Sequence, residues 1–400
     1  MTKKYMKYHI ITLGCQMNYA DSERLASYYE ARGFERAKNE KESDVVIINT
    51  CMVREKAEHK IYSITNNLSQ LNPKPKIIVT GCFVGAMERE PSGKMKKYAK
   101  RRMPHVDEFL LIDEVGFSNF PKRQNSKTAF LPISNGCNNM CSYCIVPFAR
   151  GREISRPFSE IIEEAQSLVD PLRPTAERAR EIILLGQNVN SYGADLIKKR
   201  IDPSTSSADF ARDDNKRDDY SFQFPSGQEV KPVIVKSMGR MRIPTLFPYL
   251  LEEVAKMPFK MVDFISSNPW DFSDELIEVM AKYKNINREI HLPVQSGDSE
   301  ILKQMNRWYT REEYLNLIKK ITDKIPEVEF TTDIIVGFPG ETEEQFNNTV
   351  DLCKQVNFNI AHISTYSPRP GTIAEKITDD VDHMEKKRRF AVLDELINKK

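Results

Sequence analysis

Three short apolar runs, residues 7–14 (KYHIITLG), 44–50 (DVVIINT) and 76–81 (KIIVTG), each end directly before a cysteine: Cys15, Cys51 and Cys82. Runs this short and rich in Ile and Val fit strands buried on both faces. The helix-patterned stretches between them, 21–33 and 53–71, make the series a parallel α/β sheet. Crossover connections then bring the carboxyl ends of the strands to one edge, where open α/β folds build ligand sites. We read the three cysteines as convergent ligands, although each taken singly reads equally as a buried small apolar residue.

The chain has 400 residues and seven cysteines. That length supports two or three domains with a large core. An odd thiol count argues for metal binding or catalysis over a disulfide framework. The first residues turn acidic before a leader's apolar core is complete, and no run approaches the roughly 18 apolar residues of a bilayer span. A cytoplasmic protein with no membrane partner is therefore expected. Lys and Arg number 59 against 57 for Asp and Glu, a net charge of +2, so nucleic-acid binding must rest on local patches. Residues 92–102 (SGKMKKYAKRR) are one basic run with an aromatic inside it, which also reads as a solvated helix face.

After a polar linker at 121–127 (PKRQNSK) a second β/α series begins, with strands expected at 128–134, 181–185, 261–266, 289–294, 327–336 and 359–367. Six such units point to a partial (β/α)6 barrel with its chemistry at the strand carboxyl ends. Between its second and third strands, residues 194–242 read as a polar surface insertion without a chemical motif. The expected organisation is a first domain over 1–120 and a second over 121–400.

The first strand of this series leads into Cys137, Cys141 and Cys144, spaced CxxxCxxC. Three thiolates on one tight loop can hold three irons of a 4Fe-4S cluster and leave the fourth iron open. Zinc is the alternative, but a closed zinc site needs a fourth ligand, and the nearest in sequence are Cys82 and His105. Cys353 lies in a helical stretch and reads as a core thiol.

The segments TLGCQMNYADSE, NTCMVREKAEHK, VTGC, GCNNMCSYCIVPFARGREISRP, HLPVQSGDSEILKQMNR, DIIVGFPGETEEQF and STYSPRPGT together resemble the radical S-adenosylmethionine (SAM) methylthiotransferases that modify tRNA. Within that family, GCQMN and RGRE tilt the resemblance towards the enzymes that make 2-methylthio-N6-isopentenyladenosine. It covers nearly the whole chain apart from the insertion after Tyr192. It implies a radical SAM cluster on Cys137, Cys141 and Cys144, and a second, sulfur-carrying 4Fe-4S cluster on Cys15, Cys51 and Cys82. It further implies two SAM per turnover, one to methylate sulfur at the auxiliary cluster and one to supply the radical that breaks an aromatic C–H bond, which no side-chain acid or base can do.

The same resemblance implies that Tyr143 contacts the adenine of SAM. Gln187, Asn188, Ser266, Ser267, Gln295 and Asp333, polar and at or near strand ends, are further candidate cofactor contacts, each with a turn or capping role as the alternative. Arg150, Arg152 and Arg156 are candidates for RNA phosphates or bases, with surface ion pairing as the alternative. The implied partners are a tRNA anticodon stem-loop carrying isopentenyladenosine at position 37 and a reduced flavodoxin- or ferredoxin-type electron donor. The family's usual C-terminal RNA-binding β-barrel is expected to be absent.

Overall fold

A computed structural model describes residues 5–52, 55–116, 121, 123, 127–172, 178–198, 221–224, 227–234, 236–237, 240–241 and 244–399. Five strands, β1 (Lys7–Leu13), β2 (Glu35–Arg36), β3 (Val45–Thr50), β4 (Lys76–Gly81) and β5 (Glu108–Phe109), form one sheet in the order β2-β1-β3-β4-β5. Every pairing in it is parallel. The central β3 is buried along its whole length, which is why it carries no polar alternation. Val46, Ile48, Ile77 and Val79 pack on one side with Ile61 and Phe83. Tyr8, Ile10, Ile47 and Ile78 pack on the other with Leu25 and Tyr29. Burial of each such side chain contributes roughly 1.5–3 kcal/mol.

Register fixes where the cysteines emerge. Leu13 lies opposite Thr50, and Thr50 lies opposite Gly81. Three adjacent strands therefore end level with one another, and Cys15, Cys51 and Cys82 leave the sheet at one edge. Cys15 caps helix α1 (Gln16–Glu30), and Cys82 is the first residue of a later helix, Cys82–Arg89.

The second region holds six more parallel strands. β6 (Thr128–Pro132) pairs with Glu181–Leu185, which pairs with Met261–Ile265. Glu289–His291 pairs with Glu329–Val336, which pairs with Ile360–Thr365. A parallel bridge pairs Val262 with Ile286, three residues ahead of Glu289–His291: the Val262 N–H donates to the Asn285 carbonyl at 2.8 Å and the Asn287 N–H donates to the Val262 carbonyl at 2.9 Å. One continuous core, including Leu131, Ile182, Leu184, Leu250 and Ile334, runs through both groups of strands.

Most expected strands of this series are trimmed by a residue or more, and in two of them a proline lies where the run breaks off. The run 128–134 stops at Pro132, and Ser134–Asn135 pairs separately and antiparallel with Ile154–Ser155. The run 289–294 stops at His291, two residues before Pro293. Proline donates no ladder hydrogen bond. Most of the central part of the expected insertion, residues 199–220, lies outside the described residues, as do linker residues 122 and 124–126. Parts of the flanks of that segment join the core: Ala194 and Ile197 are buried, and the Phe224 ring lies tilted 4.6 Å from that of Phe158. Among the described residues no helix is long and apolar enough to cross a membrane.

Candidate functional site

The first thiol group sits on backbone that only glycine permits. Gly81 has φ 89°, and a Cβ there would meet the Thr50 carbonyl oxygen at 2.7 Å. A Cβ on Gly14 would come within 2.9 Å of the Cys51 Cβ. The Cys51 N–H donates to the Leu13 carbonyl at 2.8 Å, tying two of the three strand ends together. Beneath them a buried polar lattice locks α1 to β3: Asn18 donates to the Asn49 side-chain oxygen at 3.1 Å, and Asn49 donates back to the Asn18 carbonyl at 2.7 Å. Two helices begin at this edge, one after Cys15 and one at Cys82, and their N-terminal dipoles favour thiolate over thiol.

A cation arrives from the other half of the molecule. The loop carrying Cys137, Cys141 and Cys144 runs into the short helix Val146–Arg150, whose last residue reaches back to the first group. The Arg150 Nε donates to the Cys82 Sγ at 3.1 Å, while its Nη1 lies 2.7 Å from an Asp21 carboxylate oxygen and 3.3 Å from Asn135 Oδ1. Asp21 also pairs with Arg24. A hydrogen bond with Cys51, then burial, pushes the Cys82 thiol well up, with Arg150 pulling it down. Burial pushes the Asp21 carboxyl up, yet Arg150 and Arg24 outweigh it and hold it below the usual range. Burial disfavours the Arg150 charge, but Asp21 and Cys82 more than offset this.

The second group is built on the same plan. Burial, then Cys144, pushes the Cys137 thiol up, and burial, then Cys141, pushes Cys144 up to about 12. The buried Arg307 stands beside them, its Nη1 3.7 Å from the Cys141 Sγ and its guanidinium 4.4 Å over the Trp270 ring. Its other partners are neutral: the Pro293 carbonyl at 2.9 Å, Asn268 Oδ1 at 3.3 Å and the Tyr309 hydroxyl at 3.2 Å. The loop itself is pinned by Ser142, whose N–H donates to the Met305 carbonyl at 3.0 Å, and by Asn306, which donates to the Met140 carbonyl at 2.7 Å.

The remaining sequence candidates divide by what they touch. Tyr143 is half-buried against a cluster containing Met305, Phe338 and Tyr366. Gln187 accepts the backbone N–H of Gly136, next to Cys137. Asn188 donates to Asp271 at 2.7 Å, while its own Oδ1 and the Ser267 hydroxyl are buried without a partner among the described residues. Ser266 and Gln295 take left-handed backbone, φ 79° and 67°. The Gln295 N–H donates to the Asp333 carbonyl at 2.8 Å, and the Asp333 side chain lies 3.2 Å from His291.

The three candidate arginines are placed differently. Arg150 and Arg156 are 3% and 6% exposed, and Arg156 is held by the Pro132 carbonyl at 2.9 Å and Glu164 at 2.8 Å. Arg152 is exposed to solvent. Arg307 and Asp21 went unassigned from sequence. The signal for Arg307 was its place at the end of HLPVQSGDSEILKQMNR, and for Asp21 its place within TLGCQMNYADSE.

Residues 7–100 match the uncharacterized protein family UPF0004, and residues 232–353 match the radical SAM superfamily. A tRNA-2-methylthio-N(6)-dimethylallyladenosine synthase from Carboxydothermus hydrogenoformans is 40% identical, covering 98% of this chain and 83% of that protein. The chain belongs to the radical SAM tRNA methylthiotransferases. A methylthiotransferase of the same name from Caldicellulosiruptor saccharolyticus is 38% identical, covering 98% of this chain and 78% of its own. The fold is shared with the radical SAM methyltransferase TsrM from Kitasatospora setae, with TM-score 0.53 at 13% identity over 93% of this chain and 77% of TsrM. Superfamily membership implies a 4Fe-4S cluster and SAM for this methylthiotransferase.

The donor sets fit such groups. Each site offers three thiols, a buried guanidinium and buried polar atoms left over: Arg150 Nη2 at the first, and Asn188 Oδ1 and Ser267 Oγ at nearby strand ends. Among the described residues no three His, Cys, Asp or Glu side chains stand close enough together to hold a single metal ion. A cubane distributes its thiolates over separate irons.

Proposed function

We propose that this chain methylthiolates carbon 2 of N6-isopentenyladenosine at position 37 of tRNA. One 4Fe-4S cluster is held by Cys137, Cys141 and Cys144, and an auxiliary one by Cys15, Cys51 and Cys82. The six strands of the second region act as a partial (β/α)6 barrel around the first cluster, with a domain division near residue 120. The observation that carries the reading is the duplication: two cysteine triplets in the sequence, each with a buried arginine against one of its thiols, Arg150 at Cys82 and Arg307 at Cys141.

A cluster held by Cys137, Cys141 and Cys144 together with SAM would supply the radical chemistry needed to break an unactivated C–H bond, and a second held by Cys15, Cys51 and Cys82 would supply the sulfur. The residues of this chain hold that chemistry in place. Gln187 fixes the cluster loop through the Gly136 N–H. Asn188 and Ser267 offer unpaired polar atoms to SAM at the strand carboxyl ends, with Tyr143, Ser266, Gln295 and Asp333 nearby in the sequence pattern. Cys137 is buried while Cys141 and Cys144 are half-buried, which leaves the loop an open side for SAM. Arg152 is the arginine of the RGRE segment free to engage tRNA phosphates. Two SAM are used per turnover, and the electron comes from a flavodoxin- or ferredoxin-type donor.

Nucleoside analysis of tRNA tests the substrate. Cells lacking the gene should accumulate isopentenyladenosine and lose its 2-methylthio derivative, with return on expression of the wild-type chain. An unchanged methylthio-isopentenyladenosine peak would overturn the proposal.

A further inference from the structure

Arg150 is 3% exposed, yet its Nη2 has no hydrogen-bond partner among the described residues. A buried guanidinium donor without an acceptor carries an uncompensated desolvation cost, so it is retained where something absent from the bare chain accepts it. The shape of the group says where that acceptor lies. In a planar guanidinium the Nε and Nη2 hydrogens share one edge and point the same way, the fork that grips paired acceptors. The Nε on this edge already donates to the Cys82 Sγ at 3.1 Å. Nη2 is thus aimed at a second acceptor beside Cys82, on the side of the thiols. The opposite donor, Nη1, is committed to Asp21 at 2.7 Å and to Asn135 Oδ1 at 3.3 Å, so the fork cannot swing away without breaking both.

We propose that the Nε/Nη2 edge of Arg150 grips two sulfurs of the auxiliary cluster, the Cys82 thiolate and an adjacent inorganic sulfide, and sets the cluster's reduction potential. This rests on the auxiliary-cluster assignment made above. A cationic hydrogen-bond donor on cluster sulfur stabilises the reduced, more negative state, so it raises the potential. Asp21 is shared between Arg150 and Arg24, which leaves the positive charge of Arg150 only partly offset and available to the cluster. Arg150 follows the radical cluster loop by six residues, so the part of the chain that carries one cluster tunes the other.

The test uses the full chain with Cys137, Cys141 and Cys144 replaced by Ala, reconstituted with iron and sulfide so that only the auxiliary site is loaded. Arg150→Met and Arg150→Lys are then made in that background. Iron content and an EPR-monitored redox titration are read for all three proteins. The Met variant should titrate at lower potential than its parent, with an altered EPR line shape, and the Lys variant should lie between them. If the Met variant loses iron while the Lys variant keeps it, the need for charge is likewise met. Equal potentials and spectra at equal iron content would overturn the assignment of Arg150 alone. Loss of iron from both variants would also overturn it, making Arg150 a packing element. No iron in the parent would instead overturn the auxiliary-cluster reading itself.

Discussion

Gly85 lies directly under the backbone carbonyl of Ala149: a Cβ at Gly85 would stand 1.9 Å from that oxygen. The contact joins the helix that begins at Cys82 to the helix that follows the cluster loop. Both thiol groups are therefore referred to one point of backbone packing.

Gly85→Ala should cost about 1–3 kcal/mol, because backbone cannot yield as a flexible side chain would. Urea unfolding of the wild type and the variant checks this. Equal midpoints would mean that the two helices separate freely.

Arg307→Met should leave the Pro293 carbonyl and Tyr309 hydroxyl short of a donor, costing about 1–3 kcal/mol. It should also strip iron from the Cys137, Cys141 and Cys144 site when the other three ligands are Ala. Arg307→Lys should retain more iron than Met. Iron assay on the two variants decides, and equal, full loading of both would remove the cation from any part in holding the cluster.

The strands β1, β3 and β4 were legible because each is a short apolar run that leads within two residues into a cysteine, with Ile and Val filling most of β3 and half of β4. β2 and β5 were not, since two-residue strands carry no periodicity. The six cysteines stood out through spacing alone. Arg150 and Arg307 did not, because an arginine in sequence is by default a surface residue, and only tertiary packing shows that these two point inward. Left-handed Ser266 and Gln295 were equally invisible, as neither residue type announces such backbone.

Asp263 gives a pH signature. Burial raises its carboxyl from 3.8 to about 6. The folded state thus binds its proton more tightly than the unfolded state, so this group's contribution is complete below the lower value and is lost as pH rises towards the upper one. Asp263→Asn should remove that loss, flattening the stability profile between about pH 4 and about pH 6 by about 1–3 kcal/mol. Denaturant midpoints across that window check it; parallel profiles for wild type and variant would contradict it.

Arg152→Ala should weaken binding of an anticodon stem-loop and reduce the slope of log affinity against log salt by about one. Arg156→Lys, a change inside the protein, should leave that slope unaltered. Titrations at several salt concentrations measure both. An unchanged slope for Arg152→Ala would remove it from the RNA contacts.

The most direct test is an iron and acid-labile sulfide count after anaerobic reconstitution, on the wild type and on two triple variants, Cys15/Cys51/Cys82→Ala and Cys137/Cys141/Cys144→Ala. Two independent clusters predict about eight irons in the wild type and about four in each variant. About four irons in the wild type, falling to none in the Cys137/Cys141/Cys144 variant, would leave a single cluster and contradict sulfur transfer from an auxiliary site.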